Sequence, residues 1–105
     1  MAGGRLPHLW IDPPSADRRS IFDLLGRGFS LIRVGKAAPS DGAFREAGRK
    51  LQIPMTTIDV PDEPAWDLYQ TRLILVRPSQ YIAWSGNFVP NNVRGLLCAV
   101  TGREA

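Results

Sequence analysis

The sequence of 105 residues holds one cysteine and one histidine. A single cysteine excludes an internal disulfide and any all-cysteine metal site, and it fits a reducing compartment. A single histidine excludes a multi-histidine metal centre. No stretch approaches the ~20 consecutive apolar residues that a membrane span requires. The longest uninterrupted apolar run is the short LLCAV at Leu96–Val100. The opening MAGGRLPHLW has no apolar run that would serve as a signal peptide, so a soluble, cytoplasmic chain is expected. Charge of one sign is scarce as well: 13 Lys and Arg against 10 Asp and Glu leave +3. A dedicated nucleic-acid binder carries a denser basic cluster, so neither nucleic acid nor membrane is an expected partner. Any chemistry must come from Ser, Asp, Glu, Arg, Tyr, one Cys or one His.

What is present is ordinary for a globular chain. Apolar residues make up 44%, which argues against disorder. The length suits one domain able to bury roughly two thirds of its unfolded surface. We read residues 1–105 as that domain, with an N-terminal arm over 1–14 and a core over 15–105. Pro7 and the Pro13-Pro14 pair make the arm extended. Ser15–Arg19 reads as a polar turn, Ser20–Leu25 as a short apolar segment and Gly26-Arg27-Gly28 as a turn. Phe29–Val34 (FSLIRV) predicts a strand. Asp41 is placed to cap a helix over Gly42–Gln52, whose face is Phe44, Ala47 and Leu51, and Ile53-Pro54 ends it. Met55–Val60 predicts a second strand, Pro61–Pro64 an acidic turn. Leu73–Arg77, Pro78-Ser79-Gln80 and Tyr81–Trp84 predict a β-hairpin. Pro90-Asn91-Asn92 leads into a helix over Val93–Thr101, its apolar face Val93, Leu96, Leu97 and Val100, with Gly102 as the stop. Strand, helix, strand implies a parallel pair. The order β-α-β, hairpin, helix is that of an α/β thioredoxin-like fold with a mixed sheet.

That fold makes thiol redox chemistry the first activity to test. Redox members carry a reactive cysteine in the loop after the first core strand, where the next helix's N-terminus lowers the thiol pKa. Here that loop is Gly35–Asp41 and holds no cysteine, so the C-x-x-C motif is missing. A cis-proline before the hairpin is a second requirement, and Thr71-Arg72 stands there instead. Cys98 lies about 100° around the last helix from Leu97, which suits a small residue at a flank of the core better than a sensor thiol. His8 has no nucleophile motif to serve. Asp59, Asp62, Glu63 and Asp67 read as a solvated loop rather than a metal site, and Arg18-Arg19 and Arg49-Lys50 as solvated charge. No catalytic, cofactor-binding or metal-ligating residue is expected. Of three tryptophans, Trp84 is expected in the core and Trp10 at a contact surface.

Three segments resemble a known family when taken together and in order. They are Gly4-Arg5-Leu6-Pro7-His8-Leu9-Trp10-Ile11, the run from Phe22-Asp23-Leu24-Leu25-Gly26-Arg27-Gly28-Phe29 to Arg33, and the hairpin Leu75-Val76-Arg77-Pro78-Ser79-Gln80-Tyr81-Ile82-Ala83-Trp84. They resemble the C-terminal domain of FAD-dependent aromatic-ring hydroxylases, flavoprotein monooxygenases of phenols and polyketide aromatics, from Gly4 to about Gly102. The resemblance implies a thioredoxin-like fold without the thioredoxin cysteines. It implies FAD, NAD(P)H and aromatic substrate for a parent enzyme, with flavin and substrate held by a larger N-terminal part that carries G-x-G-x-x-G. That motif is absent here, so the chain itself is expected to bind no FAD. The domain would pack on the flavin and substrate domains of the same polypeptide, and in some members it contributes to a homodimer. Pro7, His8, Asp23, Gly26, Phe29, Arg77, Pro78 and Trp84 carry over as structural or interdomain positions, with Trp10 added as a contact candidate. The family's hairpin usually has Asp where Ser79 stands, Gly or Gln at the position of Gln80, and Arg where Ser85 stands. A free-standing binding module and a divergent thiol enzyme using Cys98 are the alternatives.

Overall fold

The computed structural model describes residues 4, 6, 10–11, 19–21, 25, 28–60, 66 and 69–101. Through them run β1 (Trp10–Ile11), β2 (Arg19–Ser20), β3 (Phe29–Val34), α1 (Gly42–Lys50), β4 (Met55–Val60), β5 (Leu73–Val76), β6 (Ile82–Gly86) and α2 (Val93–Thr101). β1 and β2 form a small antiparallel pair. The other four strands form one mixed sheet in the order β4-β3-β5-β6. β3 and β4 are parallel, as expected for two strands joined through a helix, while β3–β5 and β5–β6 are antiparallel.

The alternation of each strand decides which face its side chains reach. Leu31, Leu73 and Leu75 point to the face covered by both helices, where they meet Phe44, Ala47, Ile53, Val93 and Leu97. Ile32, Val34, Ile58, Val60, Ile74 and Val76 point to the opposite face, where Leu6 and Ile21 complete a second core. β5 is buried at all four residues. A strand covered on both faces should read as a continuous apolar run, and LILV does. Leu6, within the segment read as an arm, is 2% exposed. Its N–H donates to the Gln80 carbonyl, and the Ile82 N–H donates to the Gly4 carbonyl.

The observed helices and strands differ from expectation at their ends. α1 stops at Lys50 rather than Gln52, with the Ile53 N–H bonded to the Gly48 carbonyl and the Gln52 N–H to that of Arg49. These two bonds form a Schellman end, which needs a left-handed residue; Gln52 supplies it at φ 57°. Asp41 does not cap α1 with its side chain. Its carboxylate instead accepts from the Thr57 hydroxyl on β4 at 2.5 Å, and Ser40 Oγ accepts from the Gly42 N–H. The hairpin strands are β5 to Val76 and β6 from Ile82, and the register slips by one residue between Leu75 and Val76. Leu75 pairs Trp84 and Val76 pairs Ile82, so Ala83 is the extra residue of a β-bulge.

Candidate functional site

Extending the observed ladders by one residue brings together two of the sequence motifs. Ser30 pairs with Val76, so Phe29 lies across from Arg77. Phe29 pairs with Met55, so Gly28 lies beside Pro54, and the Phe29 N–H donates to the Pro54 carbonyl at 3.0 Å. The result is an open groove of about 510 Å³ lined by Gly28, Phe29, Pro54, Arg77, Pro78 and the end of α2 at Val100 and Thr101. A Cβ at position 28 would collide with the carbonyl oxygen and Cβ of Pro54. Only glycine lets these two segments approach so closely.

Arg77 organises this end of the sheet. Its guanidinium Nη1 donates to the Val100 carbonyl at 2.6 Å. A cation at a helix C-terminus answers both an unsatisfied carbonyl and the negative end of the helix dipole. The hairpin turn beyond it is compact. The Gln80 N–H donates to the Arg77 carbonyl and the Arg77 N–H to that of Tyr81, with Gln80 left-handed at φ 72°. Arg77, Pro78 and Ser79 are all exposed.

The opposite end of the sheet is closed. Arg33 Nε donates to the Pro39 carbonyl at 2.9 Å, Nη2 to that of Ala38 at 3.3 Å, and Nη1 bonds Asp59 Oδ1 at 2.6 Å. One guanidinium thus ties the β3–α1 loop to β4. That loop holds no cysteine. Arg72 is similarly engaged: it lies 4.2 Å over the Trp66 ring and donates to the Val34 carbonyl at 3.0 Å.

Phe29, Arg77 and Pro78 therefore share one surface. Trp84 does not join them. It is half-buried on the helix side of the sheet with its ring centroid 5.6 Å from that of Phe44. Pro7, His8, Asp23 and Gly26 lie outside the described residues, as do Asp62, Glu63 and Asp67, and of Trp10 only the backbone is described. Cys98 is 3% exposed, which matches a small residue packed at the flank of the core. Burial raises the Tyr69 hydroxyl well above the usual tyrosine pKa. Sequence reasoning missed the two tying arginines, Arg33 and Arg72. Arg33 amid FSLIRV was the available signal, since a charge inside an apolar strand needs a partner.

A flavin dinucleotide does not fit the strand–helix turn that these residues form. Its diphosphate needs free N–H groups at a helix start. At this turn the Gly42 N–H is already given to Ser40, and the Asp41 carboxylate stands beside it, held by Thr57. Among the described residues no group of three or more His, Cys, Asp or Glu is placed to hold a metal ion. Among them, too, no helix is long and apolar enough to cross a membrane.

Comparison with known proteins gives this surface its context. The chain is 34% identical over 92 residues to the FAD-dependent monooxygenase opdD of Penicillium oxalicum, spanning 83% of the chain and 17% of the relative. It is 31% identical over 93 residues to the FAD-dependent monooxygenase apdD of Emericella nidulans, spanning 85% of the chain and 14% of the relative. Among solved structures, the rebeccamycin biosynthetic enzyme RebC with reduced flavin superposes with a TM-score of 0.84 at 32% identity, over 97% of this chain and 19% of that one. The chain thus spans less than one fifth of the length of each of these proteins. The description "aromatic-ring hydroxylase, C-terminal" matches residues 1–103, and the chain belongs to that family of C-terminal domains.

Proposed function

We propose that this chain is a non-catalytic accessory domain of an FAD- and NAD(P)H-dependent monooxygenase that hydroxylates an aromatic substrate. Residues 1–105 form one thioredoxin-like unit that works in the cytoplasm against the flavin and substrate domains of the same polypeptide. The sheet order β4-β3-β5-β6, with β4 parallel to β3 and the hairpin antiparallel, supports the thioredoxin-like assignment. The carrying observation is the groove of Phe29, Arg77 and Pro78. It is the place where two family motifs converge, it is open, and its described lining residues include no acid–base pair. An exposed surface built by structural glycine, proline and arginine suits contact rather than chemistry. The burial of Cys98 argues against the alternative of a thiol enzyme.

The test is to titrate the purified chain with FAD and with NADPH, following flavin fluorescence and calorimetric heat. Neither cofactor should bind at micromolar concentration. Stoichiometric FAD binding would overturn the proposal. In the full-length parent enzyme, Arg77→Glu should weaken contact between the domains, read as faster proteolytic release of the C-terminal domain. Unchanged release would remove the groove from the interface.

A further inference from the structure

β6 is an outer strand of the sheet, and its first residue is held from outside. The Ile82 N–H donates to the Gly4 carbonyl at 2.7 Å, and the Leu6 N–H donates to the Gln80 carbonyl at 2.9 Å. Two bonds that run in opposite directions on either side of one residue, here Tyr81, form an antiparallel pair. The Leu6 side chain joins Ile21 and Ile82 in the second core and is 2% exposed. The sequence keeps this attachment short. Gly3 and Gly4 lead into it, and glycine loses more freedom on ordering than any other residue. Pro7 follows Leu6, and proline has no N–H to continue a ladder. Among the described residues, the attachment rests on two backbone bonds and one buried leucine. β5, by contrast, is paired on both sides and buried at all four residues.

The same bonds hold the hairpin turn. Gln80 is left-handed at φ 72°, a strained conformation for any residue but glycine, which persists where the surroundings fix it. Its N–H donates to the Arg77 carbonyl at 2.8 Å, and its own carbonyl accepts from Leu6. The peptide between Tyr81 and Ile82 is held from both sides: its carbonyl accepts from the Arg77 N–H, and its N–H donates to Gly4. Arg77 and Pro78 begin this turn and line the open groove.

We propose that the segment carrying Gly4 and Leu6 is a strap. It opens and closes while the rest of the sheet stays folded, and its closure fixes the hairpin turn and with it the placing of Arg77 and Pro78 in the groove. Opening releases only two hydrogen bonds and one side chain, and segments with so few buried contacts open locally well before a domain unfolds. With the strap open, the Gln80 carbonyl loses its donor from Leu6, and the left-handed turn relaxes. The groove then has two states, one with a set turn and one with a loose turn. This coupling lies within the chain and does not rest on the accessory-domain reading.

The experiment is amide hydrogen exchange on the complete 105-residue chain. Leu6 and Ile82, whose N–H groups close the strap, should share one protection factor, about tenfold or more below those of β3 and β5. Leu6→Ala removes the buried side chain and leaves both backbone bonds possible. It should lower protection at position 6, Gln80 and Ile82 by about thirtyfold and leave β3 and β4 unchanged. Gln80→Gly relieves the strain that closure imposes, so protection at Leu6 and Ile82 should rise by about two- to fivefold. Protection at Leu6 and Ile82 equal to that of β5, an equal loss everywhere in Leu6→Ala, or a Leu6→Ala chain that does not fold overturns the strap. Unchanged protection at Gln80 in Leu6→Ala, or at Leu6 and Ile82 in Gln80→Gly, overturns its hold on the turn. None of these results bears on the accessory-domain reading, which the FAD titration decides.

Discussion

The two ends of the sheet use the same device to opposite effect. At one end Arg33 reaches two loop carbonyls and a carboxylate, so the β3–α1 loop is fastened to β4. At the other end Arg77 reaches one carbonyl at the end of α2 and leaves Pro78 and Ser79 exposed beside an open groove. The first end is a structural joint, and Phe29, Arg77 and Pro78 share the surface at the other. One end has been closed with hydrogen bonds and the other left open.

The largest expected effect tests how tightly the open end is built. Gly28→Ala forces β3 away from Pro54 and breaks the bond from the Phe29 N–H, because a backbone carbonyl cannot step aside as a side-chain tip can. Overpacking of this kind should cost about 3 kcal/mol. In a chain of this size that lowers Tm by more than ~10 °C. A Tm within two or three degrees of the parent sequence would mean that the groove yields, and that the two ends differ less in rigidity than their geometry indicates.

Arg33→Ala tests the closed end. It removes a charge-assisted bond and leaves the carbonyls of Ala38 and Pro39 without their donor. Because the Arg33 side chain is itself about one quarter exposed, water recovers part of the loss, and about 2 kcal/mol is expected by chemical denaturation. Amide exchange should quicken in residues 35–41 before it quickens elsewhere. Uniform loss of protection would show that Arg33 supports the whole sheet rather than the loop.

Much of this contrast was legible in the sequence and part of it was not. FSLIRV, MTTIDV and LILV announced their strands because apolar and β-branched residues recur where the sheet buries them. Phe44 and Ala47, and likewise Val93 and Leu97, announced the helices by their spacing. The parallel pair and the hairpin followed from element order. Local pattern could not show that Arg33 finds Asp59, which lies 26 residues away, nor that Asp41 would serve Thr57 instead of capping α1. Nor does it show the bulge at Ala83, since the slip depends on the partner strand. Left-handed Gln52 and Gln80 were hidden because glutamine carries no turn signal. The candidate groove was half legible: its motifs were visible as a resemblance, but their convergence required the registers of β3 with both β4 and β5.

Gln80 gives the third prediction. Its φ of 72° is a left-handed conformation that glycine adopts without strain. Gln80→Gly should stabilise the chain by roughly 0.5–1 kcal/mol, the strain relieved slightly exceeding the added freedom of the unfolded chain. Gln52→Gly, at the end of α1, should act in the same direction. Thermal unfolding would read both. A loss at position 80 but a gain at position 52 would show that the Gln80 side chain holds the open end in place.

The smallest effect on stability separates the two arginines most sharply. Arg77 is exposed and donates one hydrogen bond, at 2.6 Å, to the last turn of α2. Solvent replaces an exposed contact of that kind at little cost, so Arg77→Ala should change the stability of the isolated chain by about 0.5 kcal/mol. Arg33 and Arg77 would then differ about fourfold in what they contribute to folding, although each binds backbone carbonyls through a guanidinium. An arginine that the fold scarcely needs, standing in an open groove beside Pro78, fits the interdomain contact proposed above. If Arg77→Ala instead costs as much as Arg33→Ala, Arg77 is a second joint, and the proposed interdomain contact rests on Phe29 and Pro78.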